Sequence, residues 1–363
     1  MFGKIVDRLE KAIEIRTFII ENVEDHSADI ARLVIEKFGL SRVTAVRHIG
    51  DLIKEGILGV TGKTKDRSYK LREIVDQSID LDITPDLQED VVWTEKVKPL
   101  LADTKENVLS ICAHGLTEML NNVIDHSQSP TARICVERNA ARIRMMVIDH
   151  GVGIFRHIKE ECHLEDIHHA ILELAKGKLT TDPKKHSGEG VFFTSRMFDK
   201  FNIIADGIHF MRSGTHDWLF ETTIRKEGRH GTTIMMTIST NASQTAKEIF
   251  DTYRSEFDEI GFSKTIIPLK LMEYEGEKLI SRSQAKRLLR RVDRFKEVFL
   301  DFNGITEIGQ AFADEIFRVY GNSNPQVHLQ PINVSDDVGA MINRALGSDA
   351  LRKTSSSEDK NKP

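Results

Sequence analysis

Four short stretches in the middle of the chain hold residue types at spacings suited to phosphate chemistry. Glu118 and Asn122 lie four apart in KENVLSICAHGLTEMLNNVIDHS, residues 105–127, which puts a carboxylate and an amide oxygen one turn apart on one helix face. Such a pair can hold a magnesium ion through the Asn122 oxygen while Glu118 polarises a water for attack on a phosphate. Asp149 is followed by Gly151 and Gly153. A carboxylate there can accept from the exocyclic amine of a purine, and the glycines let backbone approach a flat ring. Gly188 and Gly190 open HSGEGVFFTSRMFDKF, where the free amides of a glycine turn at a helix start suit an anion. Thr232, in RHGTTIMMTI, supplies a hydroxyl able to bond Asp149 or its water. Taken singly, each has an ordinary reading: solvated helix surface for Glu118 and Asn122, a glycine-rich turn for the rest.

The elements that must position these residues are legible in the hydrophobic pattern. Val108, Leu109, Ile111, Leu116, Leu120, Val123 and Ile124 recur at helical spacing over residues 105–127. TARICVERN and ARIRMMVIDH read as two strands of a hairpin joined at Asn139 and Ala140, the second delivering Asp149 at its end. Val191, Phe192, Ser195, Met197 and Phe198 form an amphipathic helix after Gly190, and Thr232 leads into a further strand.

In this order and spacing the four stretches resemble the asparagine box and three glycine boxes of the GHKL superfamily, which includes gyrase, heat-shock chaperone, mismatch-repair and histidine-kinase ATP sites. The resemblance covers about residues 101–240 and implies a Bergerat-type α/β sandwich that binds ATP with Mg2+. It implies that Glu118 activates water, that Asn122 is the magnesium ligand, and that Asp149 reads adenine with Gly151 and Gly153 beneath the base. It also implies that Gly188 and Gly190 cradle phosphate and that Thr232 completes the adenine site. A glutamate at position 118 fits ATP-hydrolysing members and anti-sigma-factor serine kinases better than histidine kinases, and no separate helix with a phosphoacceptor histidine precedes the site.

In that superfamily the segment corresponding to residues 154–187 is a mobile lid. Here it holds His157, Cys162, His163, His168 and His169, with His150 nearby. Their spacing matches no regular zinc pattern, so lid-packing or solvated histidines are the expectation. Lys184, Lys185 and His186 stand just before Gly188; Lys185 is placed to meet a terminal phosphate or to lie exposed.

Before the central unit, helical patterns over residues 6–20, 27–38 and 42–55 are followed by two short strands around a Gly-Lys-Thr-Lys-Asp-Arg turn. The order resembles a winged helix-turn-helix domain over about the first 75 residues. From Arg42 to Arg72 basic residues outnumber acidic ones eight to three, and Arg42, Thr44, Arg47, Lys63, Lys65 and Arg67 are candidate contacts to double-stranded DNA. On the third helix Val43, Val46, Ile49, Leu52 and Ile53 are expected inward, with Arg42, Thr44, Arg47 and His48 outward. A protein-contacting module with a solvated basic face is the other reading. Residues 76–100, rich in Asp and Glu with a proline at 85, read as an acidic linker.

After a helical linker (246–262, helix expected to Glu259), strands and helices alternate: strand 265–272, helix 283–295, strand 298–302, helix 310–320, strand 327–332, helix 336–346. VFLDFNGITEIGQAFADEIFRVYG resembles STAS-like domains related to anti-sigma-factor antagonists, over about residues 263–347. Asp301, Gly304 and Ile305 match the antagonists' loop, but Gln310 and Ala311 occupy the position of their phosphorylated serine, so a partner-docking domain is expected. The last residues, 348–363, are polar and are expected to be disordered.

The whole is thus expected to be a multi-domain α+β protein with units at 1–75, 101–245 and 263–347. The chain has 363 residues and a net charge of -5, so nucleic-acid affinity must come from a local cluster. Three irregularly spaced cysteines point to a reducing compartment. The lack of an apolar run of roughly 18 residues or of a secretory leader points to a cytoplasmic protein without a membrane span. Homodimerisation is a further expectation of the GHKL resemblance. Three functional readings stay open: an ATP-hydrolysing regulatory switch, a serine/threonine kinase of the anti-sigma-factor type, and an ATP-responsive DNA-binding regulator without turnover.

Overall fold

The computed structural model describes residues 2–63, 66–179, 188–221, 230–254, 262–273 and 278–347. Lys65, Lys184, Lys185, His186 and the tail 348–363 lie outside the described residues. No described helix is long and apolar enough to cross a membrane.

The first unit is built from α1 (Phe2–Asn22), α2 (Ile30–Phe38), α3 (Arg42–Lys54) and the antiparallel pair β1 (Leu58–Thr61) and β2 (Ser68–Leu71). Gly39 ends α2 in the left-handed conformation that a residue without a Cβ adopts readily, and the Ser41 hydroxyl caps α3 by accepting from the Thr44 amide. The facing of α3 differs from the sequence expectation. Val43 is 81% and Val46 42% exposed, whereas Ala45, His48, Ile49 and Leu52 are buried. At about 100° per residue, Ala45, Ile49 and Leu52 form one stripe and Val43 falls on the far side. Weighting valines over the small Ala45 rotated the expected face.

The central unit is a seven-stranded, wholly antiparallel sheet. Its strands are β3 (Val75–Asp82), β4 (Thr131–Arg138), β5 (Arg142–Asp149), β6 (Lys200–Ala205), β7 (Ile208–Ser213), β8 (His216–Glu221) and β9 (Thr232–Ser239), in the order β3-β4-β5-β9-β6-β7-β8. The expected linker 76–100 is corrected here: β3 pairs with β4 along its full length, from Val75 opposite Arg138 to Asp82 opposite Thr131. Its sequence alternates, with Val75, Ile79 and Leu81 toward the core and Asp76, Asp80 and Asp82 exposed. The acids are the solvent face of an outermost strand, where charge discourages further strand pairing. Asp80 pairs with Arg133 across the ladder at 2.6 Å. The rest of the segment forms α4 (Glu89–Val92) and two tighter or wider helical turns that bury Trp93, Val97 and Leu101.

Helices α5 (Glu106–His126), α6 (Ile154–Glu161), α7 (Ile167–Lys176) and α8 (Gly190–Met197) belong with this sheet. Ile143, Met145 and Val147 of β5 and Ile234, Met236 and Ile238 of β9 point into the shared core. The two-residue period carries Asp149 and Thr232, at the ends of these strands, onto that same buried face. The stretch expected as a lid is, in its described part, two packed helices, with α7 buried from Ala170 to Lys176. A capped helix α9 (Ala246–Thr252) follows, and residues 255–259 of the expected helix lie outside the described residues.

The C-terminal unit has a parallel sheet of β10 (Lys264–Pro268), β11 (Glu297–Asp301) and β12 (His328–Ile332). It alternates with α10 (Arg282–Leu289), α11 (Gln310–Ala313), which runs on through a wider turn to α12 (Gly321–Ser323), and α13 (Asp336–Leu346). The first strand ends at Pro268 and the chain turns tightly over Leu269–Met272, so the expected strand to Met272 is too long. Helix α10 ends at Leu289, short of the expected Phe295, because Arg291 turns left-handed (φ 62°). Central and C-terminal units share one continuous apolar core.

Candidate functional site

A cavity of about 300 Å³ opens between α5, α6, α7 and α8 at the ends of β5 and β9. That is the lower end of the range typical of small-ligand pockets. Glu118 and Asn122 line it from α5, Asp149 and Thr232 from the strand ends, Gly153 and Gly188 from the loops, and Gly190 from the start of α8. Gly151 stands just behind, its amide donating to Asp149 Oδ1 at 2.8 Å. Residues from all four stretches therefore line one cavity.

Asp149 is buried and accepts hydrogen bonds from Gly151 and Thr232. Burial pushes its carboxyl above the ordinary 3.8, and those hydrogen bonds only partly oppose the shift. The loop that follows is stitched to the end of α5: the Val152 amide donates to the Ser127 carbonyl at 2.8 Å, and the His150 amide to the Ser129 hydroxyl at 3.1 Å. A Cβ on Gly151 would stand 1.8 Å from that Ser127 carbonyl oxygen, so only glycine lets the two backbones meet.

Glycine also decides the geometry at the other wall. A Cβ on Gly190 would lie 2.0 Å from Glu118 Oε2, so the carboxylate rests against bare backbone at the start of α8. The Asn122 amide nitrogen is buried with no hydrogen-bond partner among the described residues. An orphaned polar atom inside a cavity fits a polar ligand. His126 and His157 stack at 5.5 Å between centroids on the same wall.

Sequence reasoning missed Asp206. Its carboxylate, 1% exposed, fits where Gly153 lacks a side chain and accepts from the Arg156 amide at 3.1 Å. The Ile154 amide donates to the Thr232 hydroxyl at 3.1 Å. Two of the free amides that open α6 are thus satisfied from β9 and from the β6–β7 turn, while its N-cap, Gly153, has no side chain to offer. In the sequence Asp206-Gly207 reads only as a hairpin turn signal, which it also is.

Of the candidate DNA contacts, Arg42, Arg47, Lys63 and Arg67 are exposed, and Thr44 is half-buried beside Ser41. Arg67 lies over the Tyr69 ring at 5.9 Å.

In the C-terminal unit, Asp301 at the end of β11 accepts from the Asn303 amide and from Asn333 Nδ2, both at 2.9 Å. Gly309 precedes the helix, and Gln310 and Ala311 begin it without a hydroxyl. Parallel strands, a loop pinned at Asp301 and the helix that follows belong together. Residues 284–338 match the STAS-like domain of unknown function (DUF4325). No curated protein matches the chain.

The STAS-like domain is joined to the cavity through α7 and α8. Leu174 lines the cavity, and Lys176, two residues on, reaches the STAS-like domain. Burial holds the Lys176 ammonium below its ordinary 10.5, opposed by Glu173. Phe192 of α8, also on the cavity wall, packs on Phe262 at 4.4 Å, and Phe262 in turn packs on Phe295 of the STAS-like domain at 5.4 Å.

Proposed function

We propose that the chain is a GHKL-type ATPase switch, coupling a Mg-ATP site to a DNA-binding winged helix-turn-helix and a partner-docking STAS-like domain. The observation that carries the reading is the convergence of Glu118, Asn122, Asp149, Gly188, Gly190 and Thr232 on one cavity. In this reading the ionised Asp149 accepts from the adenine amine, with the Thr232 hydroxyl beside it and the Gly153 backbone on the cavity wall. The Gly188–Gly190 turn offers amides to phosphate oxygens at the positive end of α8. Glu118, held against Gly190, orients and deprotonates the attacking water. Asn122 would hold the magnesium ion, which when bound supplies positive charge to the phosphates.

Purified protein is expected to release phosphate from Mg-ATP, and Glu118→Gln to keep nucleotide binding while losing turnover. Turnover unchanged in that variant would remove Glu118 from its role. Label appearing on an added STAS partner would select the serine-kinase reading, and binding with neither turnover nor transfer the ligand-only regulator.

The DNA part of the proposal is supported by the exposed Arg42, Arg47, Lys63 and Arg67 around α3 and the β1–β2 hairpin. Val43 and Val46, exposed on the same helix, suit contact with thymine methyls. Salt-dependent shifts of a duplex in gel or anisotropy assays test it, and their absence at low salt would count against it.

A further inference from the structure

The Lys176 side chain is 1% exposed, and its partners lie on both sides of the joint between the cavity wall and the STAS-like domain. Its ammonium donates to Glu173 Oε1 at 2.7 Å within α7. It also donates to the Arg290 carbonyl at 2.9 Å and reaches the Arg287 carbonyl at 3.5 Å. Those carbonyls lie at the C-terminal end of α10, which favours a cation, and the Arg287 carbonyl also accepts from the Arg290 amide at 3.4 Å. Lys176 therefore caps a helix of the STAS-like domain from a helix of the cavity wall.

Neighbouring contacts make the joint stiff. The Lys176 carbonyl accepts from the Thr265 hydroxyl of β10 at 2.7 Å. The Lys178 carbonyl accepts from Arg291 at 3.0 Å and from Arg294 at 3.1 Å. Gly177, between them, has no room for a side chain: a Cβ would lie 2.7 Å from both Phe192 and Phe262. On either side of this joint, Leu174 and Leu179 line the cavity. A ligand that moves or orders those leucines acts on the same backbone that grips α10.

We infer that Lys176 is the coupling residue through which occupancy of the cavity reaches the STAS-like domain, with the C-terminal end of α10 as the first element to respond. This rests on reading the cavity as a nucleotide site. The arrangement makes α10 a two-sided element, tied to the cavity wall at one end and packed against α11 and the wider turn that follows it within the STAS-like domain.

The test is hydrogen exchange of the full chain with and without a non-hydrolysable ATP analogue and Mg2+, alongside calorimetric titration of the same samples. In the wild type the analogue is expected to slow exchange between residues 284 and 294 by about fivefold or more. Lys176→Met, which fills the same volume without charge, is expected to bind the analogue within about threefold of wild type and to lose that protection. Thr265→Val leaves the buried ion pair in place and is expected to reduce the protection in part. Analogue binding without any change over 284–294 in the wild type, or protection retained in full by both variants, overturns the coupling while leaving the nucleotide site standing. An absence of binding by the wild type overturns both.

Discussion

Asp149 is held against its own preference. Its carboxyl is raised above 3.8 by burial, so the folded protein favours the protonated form more than the unfolded chain does. A raised value means its stabilising contribution is present below pH 3.8 and is lost as pH rises through the folded value. In the proposed reading an ionised Asp149 accepts from an adenine amine, which offsets the burial that raises its carboxyl. Two outcomes follow. Asp149→Asn is expected to raise the melting temperature of the ligand-free protein at neutral pH while weakening adenine-nucleotide binding about tenfold to hundredfold. Wild-type affinity is expected to fall as pH drops toward the raised value, beginning above pH 3.8, in titrations across the acid range; a flat profile in both wild type and Asp149→Asn would contradict this role. Gly190 is the second constrained position. Gly190→Ala places a methyl where Glu118 Oε2 now lies, so phosphate release should fall with little change in thermal stability.

Helix α6 shows how an element serves the site without touching chemistry. Its first amides are held by Thr232 and Asp206, so the loop from Asp149 to Gly153 is fixed at both ends. Thr232→Val and Asp206→Ala are each expected to cost about 1 kcal/mol of stability, as lost helix caps do, and to weaken nucleotide binding in a titration. Near-native affinity in both would assign α6 no part in the site. In the first unit, Arg47→Ala is expected to weaken DNA binding and lower the salt slope by about one, with no change in melting. The elements themselves were largely legible, since α5, the β4–β5 hairpin and the alternating C-terminal unit follow their hydrophobic periods. Two were obscured by charge and size: β3 because its acids read as a linker although its apolar residues alternate, and α3 because Ala45 and His48 outrank Val43 in burial. Asp206 was hidden for a different reason. Its role depends on a contact 50 residues away, which no local pattern carries.

Over the whole molecule, sequence order places the units but not their joints. The expected linker became a strand of the central sheet, and the expected lid contributed a helix that the STAS-like domain grips through Lys176. The first unit is likewise tied to the β4–β5 hairpin: Ile74 donates to the Arg138 carbonyl, Asn139 bonds Glu73, and Arg142 pairs with Glu24. The Asn139-Ala140 turn, legible only as a turn, is thus also a contact point between units. The first unit thus meets the central sheet at the end of β5 opposite Asp149, the length of that strand away from the cavity, whereas the STAS-like domain meets it at the cavity wall. The proposed switch requires that this cavity accept an adenine nucleotide. Calorimetric titration of the full chain with ATP and Mg2+, beside Asp149→Ala, tests it most directly: saturable binding in the wild type and its loss in the variant are the predicted result. No heat in the wild type, or equal affinity in both proteins, would contradict it.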